Sequence, residues 1–279
     1  MSEETLLHDL LIYYSKIIYL CSIDNIIANH IKQWITAKNE APDYIYNLAH
    51  QKKFRSKYAF ILGYLCEHGI GNDKNLASAF YWYKSAADQK SGGGMSTQFG
   101  KHKIGIFHKT GIYISRDTMK AAAIFQELSD EGCDIGTIEI AKCYMFGYGT
   151  ALDPDLAKDL ISKLAEKGNP AAQYYLDAFG QSNDISSCLA AARNGHWEAP
   201  LFIGDFYCQD TPLKSPAKAF CWYQKAIENG LSLFRLAEFY ASGELGSKDC
   251  HNALKFARKQ IQLGVPQDEI FASLPDIFR

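Results

Sequence analysis

The sequence predicts an all-α fold of stacked helical hairpins. Glycines recur just past apolar, helix-like runs, at spacings of 36, 27, 35 and 34 residues: Gly132, Gly168, Gly195, Gly230 and Gly264. Pairs of a large and a small residue recur before the predicted turns, and two copies share an aromatic-rich run after the turn. A glycine beyond a helix end supplies the left-handed backbone that terminates the helix. Because one hairpin cannot bury its apolar face alone, such hairpins must stack into a solenoid.

Residues 1–55 lack the repeat and are predicted to form two or three helices, broken at 21–24 and 38–43. Apolar residues of the first helix recur at three- and four-residue steps: Leu6, Leu10, Tyr13, Ile17 and Leu20. This pattern is typical of an amphipathic helix, and we expect a cap over the first repeat. The interrupted apolar run fits neither a signal peptide nor a membrane span, which favours a soluble, cytoplasmic protein.

The best-preserved copy of the hairpin contains the stretch 68–87, HGIGNDKNLASAFYWYKSAA. Its glycines, Gly69 and Gly71, precede a lysine, as in some phosphate-binding loops. Such a loop needs a strand before it and a lysine directly after its last glycine, and neither is present. Gly69 aligns instead with Gly111 and Gly147, which predicts an interhelical turn.

Two features of the copies predict how their helices pack. A small residue after a large one allows a neighbouring helix to approach closely, and five copies have such a pair: Leu62-Gly63, Ile104-Gly105, Ile140-Ala141, Ile203-Gly204 and Leu236-Ala237. Aromatic residues recur at one repeat position, where we expect them in the core: Trp82, Tyr83, Trp222 and Tyr223.

Some copies depart from the pattern. Residues 91–96, SGGGMS, are predicted to be an inserted flexible loop, and Tyr113 replaces the second turn glycine of the second copy. The fourth copy, 169–195, has lost most of its turn. We therefore expect a kink or a change of curvature near residue 180.

These motifs resemble the Sel-one-like repeat, a relative of the tetratricopeptide repeat. The resemblance spans 56–264 as six copies, with Cys66 where a tyrosine is expected and Asn75 where an aspartate is expected. It implies a right-handed α–α superhelix. Residues 1–55 are then the N-terminal helical cap, and 265–279 a C-terminal tail that packs on the last hairpin.

Motifs for chemistry are missing from the sequence. A net charge of −2 gives no positive field for nucleic acid. The eight cysteines have no CxxC spacing and are expected to be buried and reduced, without a zinc site. His68, His102 and His108 lack metal-ligand spacing, and the acids of 153–155 are predicted to cap a helix. We expect no enzyme activity, cofactor or metal, so a helical hydrolase is the least favoured reading.

The resemblance implies that the first helix of each hairpin lines a concave groove. Positions two or five residues from the large residue of each pair are predicted to bind a partner protein there: Lys57, Tyr64, Glu67, His102, Lys109, Lys142, Glu198, Asp205 and Glu238. This groove is predicted to be more basic early and more acidic late, which orients a bound peptide. The leading hypothesis is a non-catalytic scaffold or adaptor for a peptide segment or folded domain. The alternative is an immunity or inhibitor protein that neutralises one toxin or enzyme.

Overall fold

The computed structural model describes residues 2–21, 23–89, 94–180, 184–209, 211–229, 231, 234–243 and 249–262. These residues form fifteen α-helices and no strand, which confirms the all-α prediction. The helices are α1 Glu3–Ile17, α2 Asp24–Ala37, α3 Pro42–His50, α4 Ala59–His68, α5 Leu76–Ala87, α6 Met95–Thr110, α7 Thr118–Asp130, α8 Asp134–Phe146, α9 Pro154–Glu166, α10 Pro170–Ala178, α11 Ser186–Arg193, α12 Ala199–Cys208, α13 Pro216–Glu228, α14 Phe234–Ser242 and α15 Cys250–Gln262.

The chain divides into two compact units, Met1–Phe179 (unit 1) and Gly180–Arg279 (unit 2). Unit 1 holds α1–α10, and unit 2 holds α11–α15. From α4 onward we number the helices in chain order as hairpins 1 to 6, each with a first and a second helix. The two helices pack together in hairpins 1, 2, 3, 5 and 6, whereas α10 and α11 of hairpin 4 belong to different units. The predicted change of curvature falls beside 181–183, which lie outside the described residues, and it stays a prediction.

The first turn glycine of each of the first three hairpins ends a helix in the left-handed region. Gly69, Gly111 and Gly147 have φ of 60°, 74° and 68° at the ends of α4, α6 and α8. The stretch around Gly69 is therefore an interhelical turn, as predicted.

Side-chain caps start the second helices of these three hairpins. Asn75, Asp117 and Asp153 each accept a hydrogen bond from the backbone N–H three residues later, at 2.9, 2.9 and 3.0 Å. Pro154 follows at the first helical position of α9, which confirms the predicted cap. The side-chain amide of Asn75 therefore caps α5 in place of the aspartate expected from the resemblance.

The second turn glycine lies against the hairpin or helix that precedes it. A Cβ on Gly71 or Gly149 would lie 2.1 Å from the Pro42 carbonyl oxygen or 1.9 Å from that of Thr118. No side chain fits there. In the second copy Tyr113 keeps the left-handed backbone with φ of 71°, and its ring, although 54% exposed, lies against Phe80 of hairpin 1 with ring centroids 5.7 Å apart.

Small residues bring the two helices of a hairpin together, as predicted. A Cβ on the small residue would overlap an aromatic ring of the second helix in three hairpins: Gly63 with Tyr83 at 2.5 Å, Gly105 with Phe125 at 2.4 Å, and Gly204 with Tyr223 at 2.5 Å. Tyr83 and Tyr223 are buried, so the core prediction is confirmed for them. Trp82 and Trp222 are only half-buried, so the core prediction is wrong for them; Trp82 lies against His50 of the cap, with ring centroids 5.6 Å apart.

The N-terminal cap consists of three helices, α1 to α3, broken where the sequence predicted. Leu6, Leu10 and Ile17 are buried on α1, while Tyr13 and Leu20 are half-buried. Helix α1 packs against α6, and α3 packs against α4. The cap thus covers the first repeats, as expected.

The remaining sequence predictions have mixed outcomes. All eight cysteines are free thiols, but the prediction that they are buried is wrong for three of them: Cys208 is half-buried, and Cys221 and Cys250 are exposed. Of the predicted flexible insert 91–96, residues 91–93 lie outside the described residues, and residues 95 and 96 belong to α6, which corrects that end of the prediction. Gly230, Gly264 and the tail 265–279 lie outside the described residues. No described helix has the length and hydropathy needed to cross a membrane.

Candidate partner-binding site

A buried cation joins the first helices of hairpins 1 and 2. The Lys103 ammonium lies 3.1 Å from Glu67 Oε2 and 2.6 Å from Asp24 Oδ2, and its side chain is 1% exposed. The Tyr83 hydroxyl donates to Glu67 Oε2 at 2.5 Å. Burial opposes the ammonium charge, but Asp24 and Glu67 outweigh this cost and raise the pKa of Lys103. This group therefore links α2 of the cap, α4 and α6.

One group of side chains here has the composition of a metal site. Ligand atoms of Asp24, Glu67 and His68 lie within 4.8 Å of one another. The Lys103 ammonium is bonded to both carboxylates. Burial, and then the charge of Lys103, lower the pKa of His68 to about 4, so its imidazole is neutral at neutral pH. The cation that this group holds in the structure is the ammonium of Lys103.

A second buried charge group joins hairpins 2 and 3. Glu139 on α8 accepts from Lys109 of α6 at 2.9 Å and from Lys142 at 2.7 Å. Burial opposes its charge, but the two lysines prevail and lower the pKa of Glu139. The Lys142 ammonium also lies 4.3 Å from the centre of the Tyr175 ring. Lys109 and Lys142, both predicted partner contacts, are thus engaged within the chain.

Two predicted contact residues, Tyr64 and His102, do not reach the surface, which corrects that part of the prediction. Tyr64 packs against Tyr14 of the cap at 5.0 Å between ring centroids and donates to the Asp24 carbonyl at 3.4 Å. His102 is buried against Phe125 at 6.1 Å. The cap covers this face, and it has no repeat pattern from which its position could be inferred.

Other cap residues extend this cover. Ile18 and Tyr19 pack on the core cluster that contains Phe125 and Ile140. Together with Tyr14 and Asp24, they place the segment 14–24 across the first helices of hairpins 1 to 3. In unit 1 the predicted groove face is therefore largely occupied by the chain itself.

The basic start of the groove is also corrected. Lys103, Lys109 and Lys142 are neutralised by acidic side chains of the same unit: Asp24, Glu67 and Glu139. Lys57 is exposed and pairs with Glu4 at 2.6 Å. Glu198 is half-buried at the start of α12. That Lys57 and Glu198 bind a partner stays a prediction.

The other two predicted acids meet at a pocket in unit 2. Asp205 and Glu238 line a cavity of about 490 Å³ formed by α12, α13 and α14. The full lining is Asp205, Cys208, Gln209, Tyr223, Arg235, Glu238, Phe239 and Ser242. Arg235 Nε lies 3.3 Å from Asp205 Oδ1, and its Nη1 lies 3.1 Å from Glu238 Oε2. This pocket brings together residues from two hairpins.

Tyr223 completes the polar contacts of the pocket. Its hydroxyl donates to Asp205 Oδ1 at 2.9 Å. Burial raises the pKa of Asp205, although the hydrogen bond from Tyr223 and the charge of Arg235 act in the opposite direction. The carboxylate therefore bears a desolvation cost that its partners within the chain do not cancel.

The sequence analysis missed Arg235 and Tyr223 as site residues, although a signal for Arg235 exists. Arg235, Lys103 and Glu139 each stand directly before the large residue of a large-small pair. Each of them bonds to a charged residue on the preceding first helix. This position, which we call the junction position, thus joins consecutive hairpins in three places.

An exposed apolar patch near the turn of hairpin 3 was also missed. Phe146 is 54% exposed and lies 5.7 Å from the Tyr148 ring and 6.0 Å from the Phe179 ring. Grouped exposed aromatic side chains are frequent at protein interfaces, whereas single ones are common everywhere. The signal was the pair of aromatic residues on either side of Gly147.

Stacked hairpins with glycine turns, packed through small residues, define a helical-repeat protein. The family model of the Sel1 repeat matches residues 56–91, 100–133, 136–169, 201–231 and 230–265, more than half of the chain. The chain belongs to the Sel1 repeat family. The fourth copy, 169–195, is outside these matches, as its lost turn predicts.

Solved structures share the fold. A Sel1 repeat protein from Oxalobacter formigenes is 20% identical with a TM-score of 0.61, covering 85% of this chain and 96% of that chain. A protective antigen of uropathogenic Escherichia coli, with a Sel1-like-repeat fold, is 19% identical with a TM-score of 0.50. That match covers 91% of this chain, which spans 56% of the antigen. No curated protein sequence matches the chain.

Proposed function

We propose that this protein is a non-catalytic scaffold that binds a partner protein at the pocket of unit 2. Sel1 repeats generally mediate protein interactions. The observation that carries the proposal is the pocket itself, where two predicted contact residues, Asp205 and Glu238, converge beside Arg235 and two aromatic rings. The three charged side chains are 33–49% exposed and so are available to a partner, and arginine and aromatic residues are enriched at protein interfaces.

The contrast with unit 1 supports this location. There the first helices carry buried charges that pair with each other and with Asp24 of the cap. Such groups stabilise the stack and are already engaged, which favours a structural rather than a catalytic role. In unit 2 the described residues leave the corresponding face open.

The cysteines support a reducing compartment such as the cytoplasm. All eight are free thiols, and Cys221 and Cys250 are exposed. Exposed free thiols persist where glutathione and thioredoxin keep them reduced.

The test is affinity purification of the full chain from extracts of its native cell, followed by mass spectrometry. The variants Asp205→Asn and Glu238→Gln remove the pocket charges, and Asp159→Asn is the control. Asp159 is an exposed acid of α9 that pairs with Lys163 at 2.6 Å. We expect at least one protein to be lost with both pocket variants and kept with the control. If both pocket variants retain every captured protein, the proposal is wrong.

The same experiment separates the two classes of binding protein. Several partners with micromolar dissociation constants support an adaptor. A single nanomolar partner whose activity is abolished on binding supports an immunity or inhibitor protein instead.

A further inference from the structure

The pocket of unit 2 has the size of a ligand site. Its volume of about 490 Å³ lies within the range of about 300–1,000 Å³ that is usual for such sites. Tyr223 and Phe239 form an apolar wall, with ring centroids 5.8 Å apart. The charged side chains of the lining are those of Asp205, Glu238 and Arg235. A long side chain with one terminal group fits this combination of wall and charge.

The charges of the lining favour a cation. Two carboxylates face one guanidinium, which leaves an excess of one negative charge. Arg235 pairs with Asp205 Oδ1 and Glu238 Oε2, and the Tyr223 hydroxyl also donates to Asp205 Oδ1. Within the described part of the chain, Asp205 Oδ2 and Glu238 Oε1 have no polar partner. These two oxygens are acceptors without a donor, and an anionic ligand would meet like charge there.

Unit 1 shows how this family of hairpins holds an amine. The Lys103 ammonium lies between the carboxylates of Glu67 and Asp24 and 5.3 Å from the centre of the Tyr64 ring. The hydroxyl of Tyr83 donates to the first of these acids, as Tyr223 does to Asp205. Two carboxylates, a hydroxyl donor and an aromatic face thus bind one cation in unit 1. In unit 2 Arg235 takes the place of Lys103, and the second oxygen of each acid, Asp205 Oδ2 and Glu238 Oε1, is left for a further cation.

Resting on the proposed function, we propose that the pocket of unit 2 binds one lysine or arginine side chain of the partner protein. Asp205 and Glu238 accept its hydrogen bonds, and Tyr223 and Phe239 contact its methylene groups. Burial raises the pKa of Asp205, and an added cation offsets that desolvation cost. The contact therefore provides charge complementarity at the centre of the interface.

The test uses amino-acid derivatives as probes, with the full isotope-labelled chain observed by NMR. The two cationic probes are Nα-acetyl-lysine methylamide and Nα-acetyl-arginine methylamide, whose side chains are unmodified and charged. They are expected to shift the amide resonances of Asp205, Tyr223 and Glu238 in a saturable manner. The matched probes are the norleucine derivative, which lacks the charge, and the glutamate derivative, which reverses it. We expect at least tenfold weaker responses to both. An equal response to either of them overturns the proposal.

Protein variants provide the second arm. The double variant Asp205→Asn with Glu238→Gln is expected to weaken lysine binding at least tenfold, and Asp159→Asn is expected to leave it unchanged. Should the double variant not fold, Glu238→Gln alone is used, because Glu238 lies at the partly exposed rim. It is expected to weaken binding about threefold or more. Binding that persists unchanged in a folded pocket variant overturns the proposal.

The two proposals fail in different ways. If capture of a partner depends on the pocket but no cationic probe binds better than the norleucine derivative, the scaffold role stands and the cation preference is wrong. If the cationic probes bind and every captured protein ignores the pocket variants, the cation preference stands and the scaffold role at this surface is wrong.

Discussion

The triads Tyr83–Glu67–Lys103 in unit 1 and Tyr223–Asp205–Arg235 in unit 2 have the same construction. In each, a tyrosine of the second helix donates to an acid of its own first helix, at 2.5 and 2.9 Å. A base at the junction position of the next first helix pairs with that acid, at 3.1 and 3.3 Å.

Their surroundings differ. The side chain of Lys103 is 1% exposed, since Asp24 and Tyr14 of the cap lie over it, whereas that of Arg235 is 49% exposed beside a pocket. One repeat-level arrangement thus serves as a structural link where the cap covers it. Where the described residues leave it open, the same arrangement forms a candidate binding site.

The strongest test of this comparison replaces the base of each triad. Lys103→Met leaves Asp24 and Glu67, which are both partly buried, without their cation, and it is expected to destabilise unit 1 by about 3 kcal/mol, the low end for a broken buried pair. Arg235→Met is expected to cost less than about 1 kcal/mol, because exposed ion pairs contribute little. Hydrogen exchange with mass spectrometry in urea reads each unit from its own peptides. Equal losses in the two units would break the comparison.

The buried histidines beside Lys103 give unit 1 a pH dependence. Burial lowers the pKa of both His68 and His102 to about 4, against about 6.5 in the unfolded chain. The unfolded state therefore binds more protons between these values. The stability that the neutral imidazoles provide is complete above about pH 6.5 and is lost as the pH falls towards 4, by a few kcal/mol in total.

The measurement is urea unfolding of unit 1 between pH 7 and 4, in the wild type and in His68→Gln and His102→Gln. Each variant is expected to show a smaller loss of stability on acidification, with the exposed His8→Gln as the control substitution. If both variants lose as much stability between pH 7 and pH 4 as the wild type does, His68 and His102 are not the source of the pH dependence.

Substitutions of the two glycines that pack against the tyrosines test how tightly each triad is packed. Gly63→Ala and Gly204→Ala both place a Cβ about 2.5 Å from a tyrosine ring. Tyr83 is fully enclosed, so we expect a cost of about 1–3 kcal/mol from overpacking in unit 1. Tyr223 is 4% exposed and borders the pocket, so the cost in unit 2 is expected to be smaller. Thermal unfolding of both variants measures the difference, and a larger loss for Gly204→Ala would reverse the comparison.

The smallest effect concerns the hydroxyl groups. Tyr83→Phe removes a hydrogen bond to the buried Glu67 and is expected to cost about 1–2 kcal/mol. Tyr223→Phe is expected to cost less than about 1 kcal/mol, because water in the pocket can replace the donor to Asp205. Urea unfolding measures the loss of stability in the two variants. An equal loss in both would mean that solvent access does not distinguish the two triads.

Much of the fold followed from local signals. Gly69, Gly111 and Gly147 mark turns because only a left-handed residue ends these helices, and Asp153 caps α9 through contacts three residues away. Such short-range rules are visible in one dimension. The cap was placed by elimination, because residues 1–55 lack the repeat.

The candidate site was predicted only in part. Asp205 and Glu238 were found from their repeat position. Lys103 and Arg235 instead pair with acids of the preceding hairpin, and the register between two hairpins depends on packing. Burial of Tyr64 depends on where the cap lies, and no periodicity encodes that, whereas His102 is buried against Phe125 of its own hairpin. Trp82 and Trp222 share a repeat position and are both half-buried, so recurrence indicated a common environment but not how deeply it is buried.

The reversed charges at successive junctions have a consequence for folding. Similar hairpins in one chain can associate in the wrong order during synthesis, a known hazard of repeat proteins. Glu67 meets Lys103 at the first junction, whereas Lys109 meets Glu139 at the second. If hairpin 3 docked directly on hairpin 1, Glu139 would face Glu67, and the two carboxylates would repel. The opposite signs of these two junctions therefore penalise that wrong order before the chain is complete.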